Sequence, residues 1–500
     1  MRNRFRRLNY VLHVQGYLLE TLGVVLLVPI VVVLLYWGGG REGPRTILAF
    51  LIPSALSIAG GGYLRRAFKA EAPDMTGAMI VCGLGWVIAS GVGALPFVIG
   101  VGSNYLNAYF EAMSGFTTTG ITLFTGLDSM ARSILFWRAL TQWVGGIGIL
   151  SFFLVVTFRG SGAHHIFGAE SHKISATRPV PGLFHTLKIL WGIYGAFTLV
   201  STVALTIEGM PIFDSICHSM TALSTGGFSP HDASIGYYAA QGFRHWRLIE
   251  YTVVGAMMLG GINFLIHYRV LTRDYRALWD NAETRWWWRL VGGLTVLVMV
   301  DHLRRFGWDL APADIESVFR HSVFQVTSIL TTTGFGTQDI ASDFFPAVAK
   351  QLFLAMMLIG GCVGSTGGGV KVMRVVLLGR LMMRELYKLR VPRGASTRLV
   401  VDKRVVSDEE SHRTAALFFM WIILLILGGG ITALLSRHGP LESISGMFSA
   451  LGNIGPCYIS VDDMIVIHPL VKVTYILGML AGRLEILPVL LLFSRKAWRG

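Results

Sequence analysis

The stretch Thr327-Ser328-Ile329-Leu330-Thr331-Thr332-Thr333-Gly334-Phe335-Gly336-Thr337 decides how the rest of the chain is interpreted. It follows Asp314–Ile329, a segment whose pattern predicts a short amphipathic helix. The β-branched threonines and the Gly-x-Gly pair favour extended backbone over helix. In apolar surroundings such backbone persists only where it lines a watery cavity, and its carbonyl oxygens suit a dehydrated monovalent cation. The stretch therefore predicts a cation site inside a membrane.

Three other places in the chain carry a similar turn. The four candidate turns are Thr118-Thr119-Gly120, Ser224-Thr225-Gly226, Thr332-Thr333-Gly334 and Asn453-Ile454-Gly455. Their glycines follow one another at intervals of 106, 108 and 121 residues. A single Thr-Thr-Gly is ordinary turn chemistry. Four copies at a near-constant interval, each between apolar segments of membrane length, indicate an internal repeat.

Composition places the chain in the membrane. Hydrophobic residues make up 53% of the 500 residues and charged residues only 14%, and the mean hydropathy is +0.58. Soluble domains carry roughly 25% charged residues. The four cysteines have no metal-binding spacing, which favours buried thiols over a metal site or a disulfide framework.

The net charge of +14 is explained by orientation and does not predict nucleic-acid binding. Lysine and arginine concentrate in alternate loops between the apolar segments, as the positive-inside rule expects of cytoplasmic loops. This pattern predicts that both termini face the cytoplasm. The first apolar run, from Val11 to Trp37, is too long for a signal peptide and is interpreted as a retained helix.

We expect an all-α polytopic membrane protein with four parallel repeats around a central pore. Each repeat would contain a span, a short re-entrant pore helix, an extended turn and a return span. An opening hairpin of two further spans, Tyr10–Trp37 and Ile47–Tyr63, brings the expected number of spans to ten. The predicted division is 1–75 for the hairpin, then 76–180, 181–284, 285–405 and 406–500 for the repeats.

The predicted return spans are Ile134–Phe158, Arg247–Tyr268, Ala347–Leu378 and Val471–Phe493. Both ends of every repeat would face the cytoplasm, so the repeats share one direction around an axis normal to the membrane. Four short helices aimed at that axis would place their C-terminal ends, with partial negative charge, around a cation.

The third return span contains a glycine-rich interruption. As one helix, Ala347–Leu378 would be about 48 Å long, too long for a hydrocarbon core of about 30 Å. We therefore expect a non-helical loop below the turns, with small-residue helix packing as the alternative. A phosphate loop is excluded because Val370-Lys371-Val372 does not fit its motif. The candidate gating residues are Gly360, Gly361, Gly364, Ser365, Thr366, Gly367, Gly368 and Gly369, together with Arg483 of the last span.

Three charged residues are singled out inside predicted spans. Glu20 lies in the first span, where a functional charge and a structural ion pair are both open. Arg483 lies in the last span, with Glu485 two residues later. Arg483 is predicted either to pair with Glu485 or helix-end carbonyl groups, or to repel the permeating ion just inside the fourth turn.

These motifs together resemble the Trk/Ktr/HKT superfamily of potassium transporters over nearly the whole chain. The shared features are the four turns, the glycine-rich break of the third return span and the segment Gly482-Arg483-Leu484-Glu485. The opening hairpin and the chain length are most similar to the bacterial TrkH branch. The fourth turn departs from Thr-Thr-Gly. Ligation by carbonyl groups tolerates this difference because the backbone oxygen, not the side chain, binds the ion.

The resemblance implies a homodimer in the bacterial inner membrane that takes up K⁺. Each protomer would have its own pore, with the twelve turn residues as the K⁺ filter. It also implies gating by a cytoplasmic, nucleotide-binding TrkA-like ring, for which the basic segment Arg380–Arg413 is a plausible docking surface and membrane lipid an alternative partner. No organic cofactor is implied.

Two other function classes are weighed against this expectation. A less selective K⁺/Na⁺ transporter would share the same architecture. An ion-coupled carrier of an organic solute needs carboxylates deep in the spans, and Glu20 and Glu485 are the only candidates singled out. An enzyme is disfavoured because the chain has no nucleophile elbow and no His/Glu pair with metal-ligand spacing.

Overall fold

The computed structural model describes residues 6–69, 75–148, 151, 183–308, 311–392, 397–402 and 404–498. Its regular structure is almost entirely helical in these ranges, and the expected all-α class is confirmed. The helices are Arg6–Val25, Val28–Leu35, Pro44–Ala67, Met75–Gly93, Tyr105–Phe116, Arg132–Ile147, Leu183–Ile207, Ile212–Leu223, Gly236–Ala240, Trp246–Gly261, Phe264–Leu271, Ala282–Phe306, Pro312–Leu330, Ala347–Leu358, Val372–Lys388, Asp408–Leu435, Pro440–Gly452, Val461–Val466, Pro469–Leu484, Ile486–Phe493 and Arg495–Trp498. Strands Val400–Val401 and Arg404–Val405 form a short antiparallel hairpin.

The opening hairpin packs its two helices through small residues. A side chain at Gly16 would collide with the Gly61 carbonyl group, and one at Gly61 with that of Gly16. Close backbone approach of this kind is typical of helix pairs in membranes. Beside this contact, Glu20 forms an ion pair with Arg65. Glu20 therefore has a structural partner, and the charge joins the two helices of the hairpin.

Each repeat begins with a long outer helix and continues with a short pore helix. The outer helices are Met75–Gly93, Leu183–Ile207, Ala282–Phe306 and Asp408–Leu435. The pore helices are Tyr105–Phe116, Ile212–Leu223, Pro312–Leu330 and Pro440–Gly452. The pore helix of the third repeat, predicted at Asp314–Ile329, is found at Pro312–Leu330. The division of the chain into five numbered units remains a prediction.

The return segments of the first, second and fourth repeats differ from the uninterrupted spans that the sequence predicts there. In the second repeat, Trp246–Gly261 and Phe264–Leu271 meet at a bend of 104°. In the fourth, Glu485 at φ 66° separates Pro469–Leu484 from Ile486–Phe493. Five described helices are long and apolar enough to cross a membrane alone, or six if the bent pair is one span.

The first and third return segments also stop early. The first ends at Ile147, before Gly148 at φ 113°, and the part of the predicted span at 149–150 and 152–158 lies outside the described residues. The third is broken between Leu358 and Val372, as the glycine run predicts. All four return helices therefore end on the same side of the turns, where the chain leaves regular helix.

Candidate functional site

The four pore helices end in one common backbone turn. A residue other than glycine takes the left-handed conformation one or two residues after the end of each helix: Thr118 (φ 53°), Thr225 (55°), Thr332 (59°) and Asn453 (53°). The next N–H group donates to a carbonyl group five residues earlier: Thr119 to Ser114, Gly226 to Thr221, Thr333 to Ser328 and Ile454 to Ser449, at 2.8–3.0 Å. These bonds define a Schellman motif. A β-branched threonine in this conformation is uncommon and costs of order 1–3 kcal/mol, so the surrounding packing must hold it.

This geometry corrects the alignment of the second turn by one residue. The last glycine of each turn has positive φ: Gly120 (81°), Gly227 (77°), Gly334 (89°) and Gly455 (108°). The second turn is therefore Thr225-Gly226-Gly227 and not Ser224-Thr225-Gly226. Ser224 instead caps the C-terminus of its pore helix. With Gly227 in register, the first two intervals both become 107 residues.

The four turns close into a ring. A β-carbon built on the last glycine of each turn would lie 3.1 Å or less from a carbonyl oxygen of the next repeat. The pairs are Gly120 with Gly226, Gly227 with Thr333, Gly334 with Ile454 and Gly455 with Thr119. The contacts run from repeat to repeat and return to the first. Glycine is required at these positions both by its φ and by this approach of the neighbouring backbone.

Polar side chains stabilise the ring through hydrogen bonds. Gln142 donates from Nε2 to the Gly226 carbonyl oxygen at 2.7 Å, and its Oε1 accepts from the Phe228 N–H at 3.0 Å. Asn453 donates from Nδ2 to the Thr119 hydroxyl and to the Met479 carbonyl oxygen, both at 2.9 Å. These bonds satisfy buried groups and restrict the turns to one arrangement.

The segment 359–371 forms a loop directly below the ring. Two hydrogen bonds join the ends of the loop, one from the Gly360 N–H to the Val370 carbonyl oxygen (2.8 Å) and one from the Val370 N–H to the Leu358 carbonyl oxygen (3.2 Å). The Gly368 N–H donates to the Thr332 hydroxyl at 2.8 Å. The loop therefore contacts the third turn. It is an ordered non-helical segment, as predicted, and the alternative of small-residue helix packing is wrong.

Thr366 connects the loop to the second repeat. Its hydroxyl donates to the carbonyl oxygens of Leu223 (2.9 Å) and Gly260 (3.0 Å). The Ser365 hydroxyl has no partner among the described residues. The Thr366 carbonyl oxygen in turn accepts a hydrogen bond from Arg483.

Arg483 joins the loop to the first repeat. Its guanidinium donates to the carbonyl oxygens of Thr366 at 2.5 Å and Gly145 at 2.6 Å, and to the Thr118 hydroxyl at 3.1 Å. Glu485 pairs with Arg374 at 2.6 Å. The contacts of Arg483 thus include a carbonyl group near the end of the helix Arg132–Ile147, one of the two kinds of partner that the sequence suggested for it.

Above the ring lies a cavity of about 980 Å³ that the four glycines of the turns help to line. Two of its walls contain buried ion pairs that the sequence-based interpretation missed. Arg138 meets Glu111 at 2.9 Å, and Arg320 pairs with Glu250; all four residues are almost fully buried. Buried charges need such pairing. The partners are 27 and 70 residues apart along the chain, so no local pattern of the sequence predicts these pairs.

A cavity that ends at a ring of carbonyl groups, among helices apolar enough to cross a membrane, is the architecture of a polytopic membrane transport protein. The chain matches the TrkH family, described as cation transport protein, over residues 47–499. It belongs to this family. The expected superfamily resemblance is thereby confirmed, and the chain is a transport protein and not an enzyme.

Individual proteins that the chain is similar to are also named as potassium or cation transporters. The chain is 32% identical to the Trk system potassium uptake protein TrkH of Escherichia coli K12, over 97% of this chain and 98% of the relative. It is 30% identical to an uncharacterized cation transporter of Methanocaldococcus jannaschii, over 97% and 95% of the two chains. The crystal structure of the potassium transporter TrkH from Vibrio parahaemolyticus superimposes with a TM-score of 0.85, at 28% identity, covering 98% of this chain and 100% of that one.

Proposed function

We propose that the chain takes up K⁺ through the ring of four turns. The closed cycle of contacts between glycines and carbonyl groups of successive repeats carries this proposal. The relatives named as potassium uptake proteins support the choice of ion. The proposed setting is the bacterial inner membrane, with both termini cytoplasmic.

In this proposal the backbone oxygens of the turns replace the water shell of the ion. A rigid ring of dipoles selects a cation by the number and spacing of its oxygens. The filter residues are Thr118, Thr119, Gly120, Thr225, Gly226, Gly227, Thr332, Thr333, Gly334, Asn453, Ile454 and Gly455. The C-terminal ends of the four pore helices add partial negative charge at the ring. Ile454 fits this role because its backbone, not its side chain, supplies the ligand.

The loop 359–371 and Arg483 form the proposed gate. Support comes from their place below the ring and from hydrogen bonds that reach the second and third repeats and, through Arg483, the first. Glycines at 360, 361, 364 and 367–369 allow the backbone to change arrangement at low steric cost. A fixed positive charge at this level opposes a permeating cation.

The homodimer and the TrkA-like regulatory ring belong to the same proposal. The basic helix Val372–Lys388 follows the loop directly. The predicted docking segment Arg380–Arg413 begins within this helix and continues beyond it. Its residues 393–396 and 403 lie outside the described residues. A cytoplasmic partner bound there could displace the loop without touching the ring.

Rubidium-86 uptake into a potassium-starved strain tests transport, and the K⁺/Na⁺ flux ratio in proteoliposomes tests the filter. We expect uptake by the wild-type chain and a lower K⁺/Na⁺ ratio for Gly120→Ser, because a β-carbon there meets the Gly226 carbonyl oxygen. An unchanged ratio in a well-folded variant would remove the first turn from the filter. A wild-type ratio near one would favour the less selective K⁺/Na⁺ transporter, and flux of an organic solute would favour the carrier.

A further inference from the structure

A carboxylate from the third outer helix binds both the loop 359–371 and the helix that follows it. Glu283, which is 4% exposed, lies in the first turn of the helix Ala282–Phe306. Its Oε1 accepts from the Val363 N–H at 2.8 Å and from the Met373 N–H at 3.1 Å. These two N–H groups are ten residues apart in sequence. One side chain therefore fixes the entry of the loop relative to the helix that follows it.

The start of that outer helix is in turn held by the cytoplasmic hairpin. Asp402, at the tip between the two short strands, accepts from the Ala282 N–H with both carboxylate oxygens, at 2.7 and 2.9 Å. Arg285 lies 3.4 Å from the same carboxylate. A carboxylate at a helix N-terminus satisfies free N–H groups and is stabilised by the helix dipole. The contacts form a continuous connection from Asp402 through the helix start to Glu283 and the loop.

We propose that Glu283 is the positioning residue that keeps the loop in place below the ring, and that Asp402 sets the position of Glu283. The effect on K⁺ flux rests on the proposed function, whereas the effect on the loop does not. A movement of the hairpin that withdraws Asp402 shifts the helix start. Glu283 then loses its short bonds to Val363 and Met373, and the loop is released.

The strength of this connection follows from the charges involved. Hydrogen bonds from backbone N–H groups to a buried carboxylate are charge-assisted and stronger than neutral ones. Glutamine keeps the shape and one acceptor oxygen but loses the charge, so both bonds weaken while the packing remains. We expect Glu283→Gln to raise the population of the released loop about tenfold.

Cys362 reports the position of the loop independently of transport. It lies in the loop with 0% exposure, so its rate of labelling by a small cationic thiosulfonate reagent measures release. The background replaces the other cysteines by alanine: Cys82, Cys217 and Cys457. The protein is the full chain in nanodiscs, without a cytoplasmic partner. Glu409→Gln, at an exposed glutamate in the first turn of the fourth outer helix, is the matched control.

We expect Glu283→Gln and Asp402→Asn each to raise the labelling rate of Cys362 about tenfold, and Glu409→Gln to leave it unchanged. Wild-type labelling rates in both test variants would overturn the proposal. If Glu283→Gln is not monodisperse in size-exclusion chromatography, Asp402→Asn, whose side chain is partly exposed, decides alone. Rubidium-86 flux in the same samples separates the two ideas: faster labelling with unchanged flux supports the positioning role and contradicts the loop as gate.

Discussion

Removing the charge of Arg483 tests whether the arginine is an electrostatic barrier. Its Nη1 lies 3.1 Å from the Thr118 hydroxyl, so an ion in contact with that oxygen is about 6 Å from the guanidinium. At an effective dielectric of about 20, two like charges at that distance repel by about 3 kcal/mol. Because water in the pathway screens part of this, we expect Arg483→Ala to raise K⁺ flux by about 10- to 100-fold.

The lysine variant separates charge from cross-linking. Arg483→Lys keeps the positive charge but cannot make the forked contacts with Gly145 and Thr366. Flux of purified, monodisperse protein is measured with rubidium-86 in proteoliposomes. A barrier by charge predicts that the lysine variant conducts like wild type and the alanine variant conducts faster. Equal, raised flux in both variants would refute the electrostatic account, and unchanged flux in the alanine variant would refute any role for the charge in closure.

Three further predictions concern the ring, the loop and the opening hairpin. Gly227→Ala should lower the K⁺/Na⁺ flux ratio more than Gly226→Ala, because only Gly227 combines positive φ with contact to the next repeat; the reverse order would contradict the corrected register. Deletion of Cys362–Gly368 should give high, partner-independent K⁺ flux with selectivity kept, and flux at the resting wild-type level would place the gate elsewhere. Glu20→Gln should leave uptake unchanged, since its pair with Arg65 joins the two helices of the opening hairpin to each other; loss of uptake in folded protein would give Glu20 a direct role.

The sequence predicted those parts of the molecule that local chemistry determines. The pore helices and the break after Leu358 follow from apolar patterning and from a run of glycines that helix cannot tolerate. The second turn was misaligned because Gly226 directly follows a threonine, as Gly120 and Gly334 do, whereas Gly227 follows a glycine. Only the backbone dihedral angles distinguish them.

Features that depend on tertiary packing were not predictable in the same way. The bend after Gly261 was not predicted although Gly260 and Gly261 precede it, because glycine also occurs within continuous membrane-spanning helices. The backbone there is held by the loop of the third repeat, through the bond from the Cys362 N–H to the Gly261 carbonyl oxygen. The pair of Arg138 with Glu111 joins two helices of one repeat, and the sequence does not show that both side chains turn inward. The partners of Arg483 come from several repeats, so only the assembled ring reveals them.

Anomalous scattering from Rb⁺ in crystals of the chain tests the ring most directly, because Rb⁺ substitutes for K⁺ and its position can be observed. The account predicts a peak enclosed by the carbonyl oxygens of Thr119, Gly226, Thr333 and Ile454, which an excess of K⁺ removes and an equal excess of Na⁺ leaves in place. A ring without Rb⁺ in crystals that bind the ion elsewhere along the protein would contradict the assignment of the four turns as the cation filter.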